Sequence, residues 1–571
     1  MKRNWLDLLS VNWNPQLLRE LKGCLKTQNI LLAIAISLLG QFVLFMYFQI
    51  QLPVRVTPLK DYANRYCTGN SLRGLPNCLI DGFDNVIINW QLWSLDIFIL
   101  LSIIGSFTLL AGGTYLLINN LATEQRRDTL NFIRLSPQSP QSILWGKMLG
   151  VPILLYLAGL LAVPLHLWSG LNAQIPLIML LSFYAIAIAA SFFYYSGALL
   201  FGLVGSWLGG FQAWLGSGIV LGFLMLTKQA FAYDTSADFP FAIFRLINPY
   251  YLIPHSDVSS IFPSDNPKFT NFHWFTIPLG ASFLTTVCFA LLIYFIGTYF
   301  IWQSLQRCYL DSNATMLSKQ QSYLLTTCFA VITIGCANWQ SLVVSKTATR
   351  YVMVENIACL IFLDLWLFLY LIAAVNPHRQ TLQDWARYRQ VSSHKGLGDR
   401  QLIKDLIWGE KSPGILAIAI NAMIAVSCLS LFVLVSWVDV DDKINALISL
   451  AFAGGLAVIY AALAQSLLFM KNKHRLFWTS GGVGAAIVLP VLILVILFHN
   501  PEQNSFLWLF SVVAPLMTLY PSGNHISPIT LFLAILGHWS IVGLLVFQLT
   551  RNLRKAGESA TKAMLASNTN S

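Results

Sequence analysis

The sequence predicts an all-α integral membrane protein of about twelve transmembrane helices in two pseudo-repeated six-helix halves. Three observations lead there. Only 10% of the 571 residues are charged, against roughly 25% in a soluble domain, and 56% are hydrophobic. Apolar runs of about 20 residues, long enough to cross a bilayer, recur along the whole chain. The positive charges gather on alternate segments between those runs.

The first apolar run begins only near Asn29, after the stretch MKRNWLDLLSVNWNPQLLRELKGCLKTQ. No small-residue cleavage pattern follows it, so it reads as a retained span rather than a signal peptide. Ahead of it lies NPQLLREL, Asn14 to Leu21. Pro15 suits the first turn of a helix. Leu17, Leu18 and Leu21 give that helix an apolar side, and Arg19, Lys22 and Lys26 a charged one. Residues 1–28 therefore predict an amphipathic elbow lying along the membrane surface. A plain charged anchor is the simpler alternative.

Six runs make the first half, 29–303: 29–50, 95–119, 148–169, 175–196, 198–226 and 275–303. The turn between the fourth and fifth is placed at Gly197. The fifth carries Gly205 with Gly209 and Gly218 with Gly222, a spacing that lets helices approach closely. A linker, 304–322, leads to the second half, 323–549, with runs 323–344, 355–375, 413–436, 446–470, 480–498 and 527–549. The run 506–520 is short and interrupted by proline, which suits a re-entrant or interfacial piece. A tail, 550–571, ends the chain. Each half has a long charged loop after its second span, 120–147 and 376–412, which favours an internal duplication.

With the N-terminus placed in the cytoplasm, the inner segments hold 25 of the 35 Lys and Arg. That is the positive-inside pattern. It predicts a multi-pass protein of a cell (inner) membrane with both termini cytoplasmic. The same pattern accounts for the net charge of +11 without a nucleic acid partner.

The loop from Glu124 reads EQRRDTLNFIRLSPQSPQSILWGKMLG. A helix over 123–135 would put Leu130, Ile133 and Arg134 on one side and Arg126, Arg127 and Asp128 elsewhere. Ser136 and Pro137 break it. Ser139 can cap a second helix that has Pro140 at its first position. Two short helices bent at SPQSP make a shape for contacting another protein. A solvated loop that only enforces topology is the alternative.

This passage resembles the coupling loop of the ABC-2 type transporter permeases. That pattern is roughly E-R-x-x-G-T-L, then a leucine, a proline and I-x-x-G-K. The matches are Glu124, Arg126 or Arg127, Thr129, Leu130, Leu135, Pro137, Ile143, Gly146 and Lys147. The usual glycine is Asp128 here. NPQLLREL also resembles the start of such permeases, and the likeness covers residues 12–303 better than the second half. There, 402–421 occupies the coupling position without the E-R-x-x-G-T-L text. The resemblance implies an elbow helix and a coupling helix that receive motion from a cytoplasmic ATPase. It assigns coupling to Glu124, Arg126, Arg127, Thr129, Leu130, Leu135, Pro137 and Lys147. The chain has no G-x-x-x-x-G-K-[ST], and its longest inner segment, 376–412, is too short for a nucleotide-binding domain. ATP and magnesium are thus expected on a separate ATP-binding cassette subunit, in two copies per chain, with no cofactor and no enzymatic activity on this one.

Other residues were weighed for chemistry. Asp96 and Asp364 are the ionisable groups inside spans, where burial of charge is costly, and are candidates for an intramembrane polar site. Cys67 and Cys78 share one outer loop, whose compartment permits a disulfide; two free thiols are the alternative. His166, His255, His273 and His525 read as interfacial or outer polar groups. No catalytic or metal-ligand spacing occurs among them. The leading expectation is the permease subunit of an ATP-driven exporter. The alternatives are a non-transporting membrane assembly factor with a permease-like fold and a multispan membrane transferase.

Overall fold

A computed structural model describes residues 14–568, apart from 54–62, 70, 73–74, 84, 231–237, 255–271, 312, 346–349, 392–399, 473, 499–504 and 521–525. His255 and His525 lie outside the described residues. The chain is an all-α multispan membrane protein. Its only named strands among the described residues are β1 (Ser71–Leu72) and β2 (Leu75–Pro76), a two-residue antiparallel pair. Among the described residues, ten helical stretches are long and apolar enough to cross a membrane. They fall into two compact units. Unit 1 holds most of the chain up to Leu310, and unit 2 most of the chain from Asp311.

Unit 1 begins with α1 (Pro15–Cys24), capped by the Asn14 side chain as the Asn-Pro pair predicts, and the first span α2 (Thr27–Ile50). The second span is one continuous stretch, Trp90–Arg126. It is made of α3 (Trp90–Phe107), a π-helical turn at Thr108–Gly112, and α4 (Gly113–Arg126). Carbonyls at that turn are taken up by side chains: Tyr195 donates to Leu109 O at 2.7 Å and Ser217 to Ala111 O at 2.9 Å. Then come α5 (Thr129–Arg134), α6 (Pro140–Gly150), α7 (Ile153–Asn172), α8 (Leu177–Val204), α9 (Gln212–Ala230) and α10 (Phe283–Leu310).

The break between the fourth and fifth spans is not at Gly197, which lies inside α8. It is a 3₁₀ turn at Gly205–Phe211, where Gly209 takes φ 59°, a conformation that costs glycine nothing. Gly205 and Gly209 therefore make a corner rather than a helix-packing stripe. A Cβ at Gly218 or Gly222 would meet nothing within 4 Å, so these two do not mark a close crossing either.

Unit 2 contains α11 (Lys319–Gly335), α12 (Arg350–Val375), α13 (Arg379–Val391), α14 (Arg400–Trp408), α15 (Ile415–Val435), α16 (Val440–Leu468), α17 (Arg475–Leu497), α18 (Ser505–Trp508), α19 (Ala514–Leu519) and α20 (Pro528–Asn568). At 17 residues, α11 is shorter than the roughly 20 a straight crossing needs, and it is not among the ten. The centre of unit 2 is α16, which packs against α15, α17, α19 and α20. Its small residues Ala457, Ala461, Ala462 and Ala464 are buried at those crossings. Lipid is as apolar as leucine, so close van der Waals fit holds spans together better than greasiness does. The helices α18 and α19 form the short, proline-bearing piece expected at 506–520. It is packed into unit 2, with Ser449 donating to Pro515 O at 2.8 Å.

Candidate functional site: a docked, charged bend

The charged bend of unit 1 starts where α4 stops. Arg127 leaves helical geometry and Asp128 turns left-handed, with φ 56°. Aspartate tolerates that region better than most residues, though less well than glycine. The ABC-2 pattern has glycine at this place. Asp128→Gly should therefore raise the unfolding midpoint slightly, with a gain of about 0.5–1 kcal/mol, and Asp128→Val should lower it. Thermal unfolding in detergent checks both.

Thr129 closes the break by donating its hydroxyl to Glu124 O at 3.2 Å. In α5, Leu130 and Ile133 point inward and are buried. Arg134 lies over the Tyr309 ring, 5.5 Å from its centre, and donates to Cys308 O at 3.4 Å. This fastens α5 to the end of α10. The expected single helix over 123–135 is thus two pieces, because the left-handed residue cannot be accommodated within a helix. Ser139 then caps α6, accepting from Ser142 N at 3.2 Å, with Pro140 at the first position as expected.

The helix α6 carries two glycines, Gly146 and Gly150, toward α1. A Cβ on Gly146 would fall 2.8 Å from the Leu17 amide nitrogen, and one on Gly150 would fall 2.6 Å from Glu20 Cβ. The two helices can cross this closely only on bare backbone. Asn14 Nδ2 adds a bond to Ser142 O. Gly146→Leu should undock α1 and expose it to protease, while Gly159→Leu, a site with open space around its Cα, should not. Limited proteolysis of the N-terminal segment distinguishes them.

Gln16 and Glu20 join Leu21 on the inward face of α1, while Leu17 and Leu18 of the expected apolar side are half-buried. The reason is electrostatic. Lys147 of α6 is fully buried, 2.6 Å from Glu124 Oε2 and 3.6 Å from Glu20 Oε1, and it donates to Asn120 Oδ1 at 2.8 Å. Arg19 reaches Glu124 Oε1 at 2.9 Å from a half-exposed position. Glu20 also accepts from Gln16 Nε2 at 2.7 Å and Asn120 Nδ2 at 3.4 Å. Two cations and two carboxylates form a closed, neutral network joining α1, α4 and α6. Burial and the Glu20 carboxylate raise the nearby Cys24 thiol, which keeps it protonated.

The eight residues assigned by resemblance divide into two sets. Glu124, Leu130 and Lys147 are inside, holding the bend to the bundle. Arg126, Arg127, Thr129, Leu135 and Pro137 are on the outside. Phe132 and Leu135 are large apolar side chains left 80% and 85% exposed at this charged bend. Sequence reasoning missed Gln16, Glu20 and Asn120. A visible signal existed for one of them: Glu20 is the single acid between Asn14 and Gln28, among Arg19, Lys22 and Lys26.

In unit 2 the 402–421 stretch is built differently. The last turn of α14 and the loop after it wrap the amine of Lys319, which donates to Leu406 O at 2.6 Å, Ser412 Oγ at 2.7 Å and Pro413 O at 3.1 Å. Three oxygens replace the carboxylates of unit 1.

The remaining candidates lie apart from the bend. Asp96 is fully buried at the start of α3 and paired with Arg65 Nε at 3.0 Å; Tyr66 OH donates to it at 3.1 Å. Its basic partner comes from a loop, not a span. Burial and the Asp96 charge push the Tyr66 hydroxyl above its ordinary pKa, so it stays a donor. Cys67 and Cys78 are disulfide-bonded and hold this loop. Asp364 is half-buried in mid-α12, with no hydrogen bond or ion pair among the described residues. His166 is not interfacial. It is buried in unit 1 between Ser102 Oγ and Tyr184 OH, each 2.7 Å away. His273 pairs with Asp238 at 3.0 Å. No group of three metal-ligating side chains occurs among the described residues. No family model matches the chain, and no curated protein and no solved structure matches it at a significant level.

Proposed function

We propose that this chain is the membrane-spanning subunit of an ATP-driven exporter of the ABC-2 permease kind. It would work with two copies of a cytoplasmic ATP-binding cassette subunit that carry ATP and magnesium. The observation that carries the reading is the exposure of Phe132 and Leu135 on a bend whose other face is anchored. Two large apolar groups set among Arg126, Arg127 and Pro137 fit a protein surface better than water. The anchoring matters as much as the exposure. A push on α5 is passed through Thr129, Glu124 and Lys147 to α4 and α6, and through Arg134 to α10. The chain's positive charges support a cell-membrane location with this bend and both termini on the cytoplasmic side. The nearly uncharged spans favour an amphiphilic cargo.

The test is affinity isolation of the detergent-solubilised full chain, followed by an ATPase assay on what is recovered with it. A co-purifying ATPase whose rate changes when Phe132 and Leu135 are replaced supports the reading. Recovery of no ATPase, or of one indifferent to the bend, rejects it. Leu130 is a poor probe here, because it is buried and its replacement reports on folding.

A further inference from the structure

A second polar corner lies in unit 2, where α12 ends and α13 begins, in the stretch Asn376-Pro377-His378-Arg379. Asn376 is buried, yet neither its Oδ1 nor its Nδ2 has a hydrogen-bond partner. Gln465, at the end of α16, is fully buried. Its Oε1 accepts from Gly414 N at 3.2 Å, and its Nε2 is left without a partner. The two amides flank Gly414, where a Cβ would collide with Asn376 Oδ1. Arg379 stacks over Phe469, one helical turn beyond Gln465, and its buried Nε is likewise unpaired. Three orphaned N–H donors thus collect beside one orphaned acceptor. Native interiors rarely leave such groups unmatched.

The charge in this corner is one-sided. Neither the Arg379 nor the Arg475 guanidinium has a carboxylate within ion-pair distance among the described residues. Burial first, and the Arg475 charge second, push the pKa of His378 down, and Arg475 follows Phe469, the ring under Arg379, by six residues. The acid that acts on His378 is Asp311, and its carboxylate already accepts from Asn313 N at 2.8 Å. The N-terminus of α13, a 13-residue helix, opens at Arg379 and adds a positive end. Donors, cations and a helix N-terminus together call for acceptor oxygens bearing negative charge.

We propose that the corner formed by Asn376, Arg379, Gln465 and Arg475 binds a phosphate-type anion, either a membrane lipid headgroup or a free phosphate group. Its position favours the lipid. Arg475 opens α17, whose apolar window is only 11% buried and so faces lipid. Phe477 and Trp478, exposed in the same turn, are the side chains that mark a bilayer interface. The proposal is independent of ATP coupling.

Native mass spectrometry of the full chain in neutral detergent tests it, titrating phosphatidylglycerol, phosphatidylcholine and inorganic phosphate in separate arms. The double variant Arg379→Gln/Arg475→Gln should bind phospholipid at least tenfold more weakly than the parent. Lys404→Gln/Lys411→Gln, which removes one exposed charge from α14 and one from the turn after it, should leave binding unchanged. Phosphate that binds the parent and not the arginine variant, with no lipid bound, supports the site with a soluble source. Equal binding by parent and arginine variant, equal loss in both double variants, or no bound phosphorus compound in any arm overturns it, and the last leaves only water in the corner. If the double variant does not fold, Arg475→Gln alone gives the same comparison, because its side chain is only partly buried.

Discussion

Replacing Lys147 with methionine should cost about 3–5 kcal/mol of stability, the largest single-residue loss expected in unit 1. The amine is fully buried between Glu124 and Glu20, and its removal leaves two carboxylates together with only the half-exposed Arg19 for countercharge. Asn120 also loses its donor. The expected readout is a large drop in the unfolding midpoint in detergent, together with less monodisperse protein. The partner variants separate causes. Glu124→Gln added to Lys147→Met should recover part of the loss, because one stranded charge is gone. Arg19→Met should cost under about 1 kcal/mol, as a half-exposed pair does. If Lys147→Met and Arg19→Met cost the same, the network is not the buried anchor described above.

The second large effect is on association rather than folding. Phe132→Asp with Leu135→Asp should reduce recovery of a partner ATPase by tenfold or more. Truncating a buried anchor at an interface commonly costs 2 kcal/mol or more, and each 1.4 kcal/mol is a factor of ten in affinity. Both side chains are exposed and hold no part of the core, so the unfolding midpoint should stay where it is. A lowered midpoint with unchanged recovery would reverse the assignment, making these two residues part of the fold. Measuring both quantities on the same preparation decides it.

Much of this was legible in the sequence because the bilayer enforces simple rules. Apolar length gave the all-α multispan fold though not its count of spans, and Pro15 and Ser139-Pro140 gave two helix starts. What was not legible has local physical reasons. The corner at Gly205–Phe211 falls inside an apolar stretch with no charge to mark it, so Gly197 looked as good a break. In α1 the periodicity marked the apolar side of Leu17, Leu18 and Leu21 but not the burial of Gln16 and Glu20. Glu20 is buried by a lysine 127 residues downstream, and periodicity within one helix carries no information about a partner so far along the chain. The glycine-to-aspartate difference at position 128 looked like a departure from the family pattern. Asp128 makes a left-handed turn that glycine would make at less cost.

The π-helical turn at Thr108–Gly112 bears on how such a bend could move. It stores one surplus residue in the middle of the second span, upstream of Asn120 and Glu124. Each residue advances an α-helix by about 100° and 1.5 Å. Letting that surplus residue migrate past α4 would rotate Asn120 and Glu124 off Lys147 without breaking the helix. The hydroxyls of Tyr195 and Ser217 act as a catch on the present register. Tyr195→Phe removes one of the two hydroxyls that hold this register, and faster amide exchange over Thr108–Gly112 is the expected result.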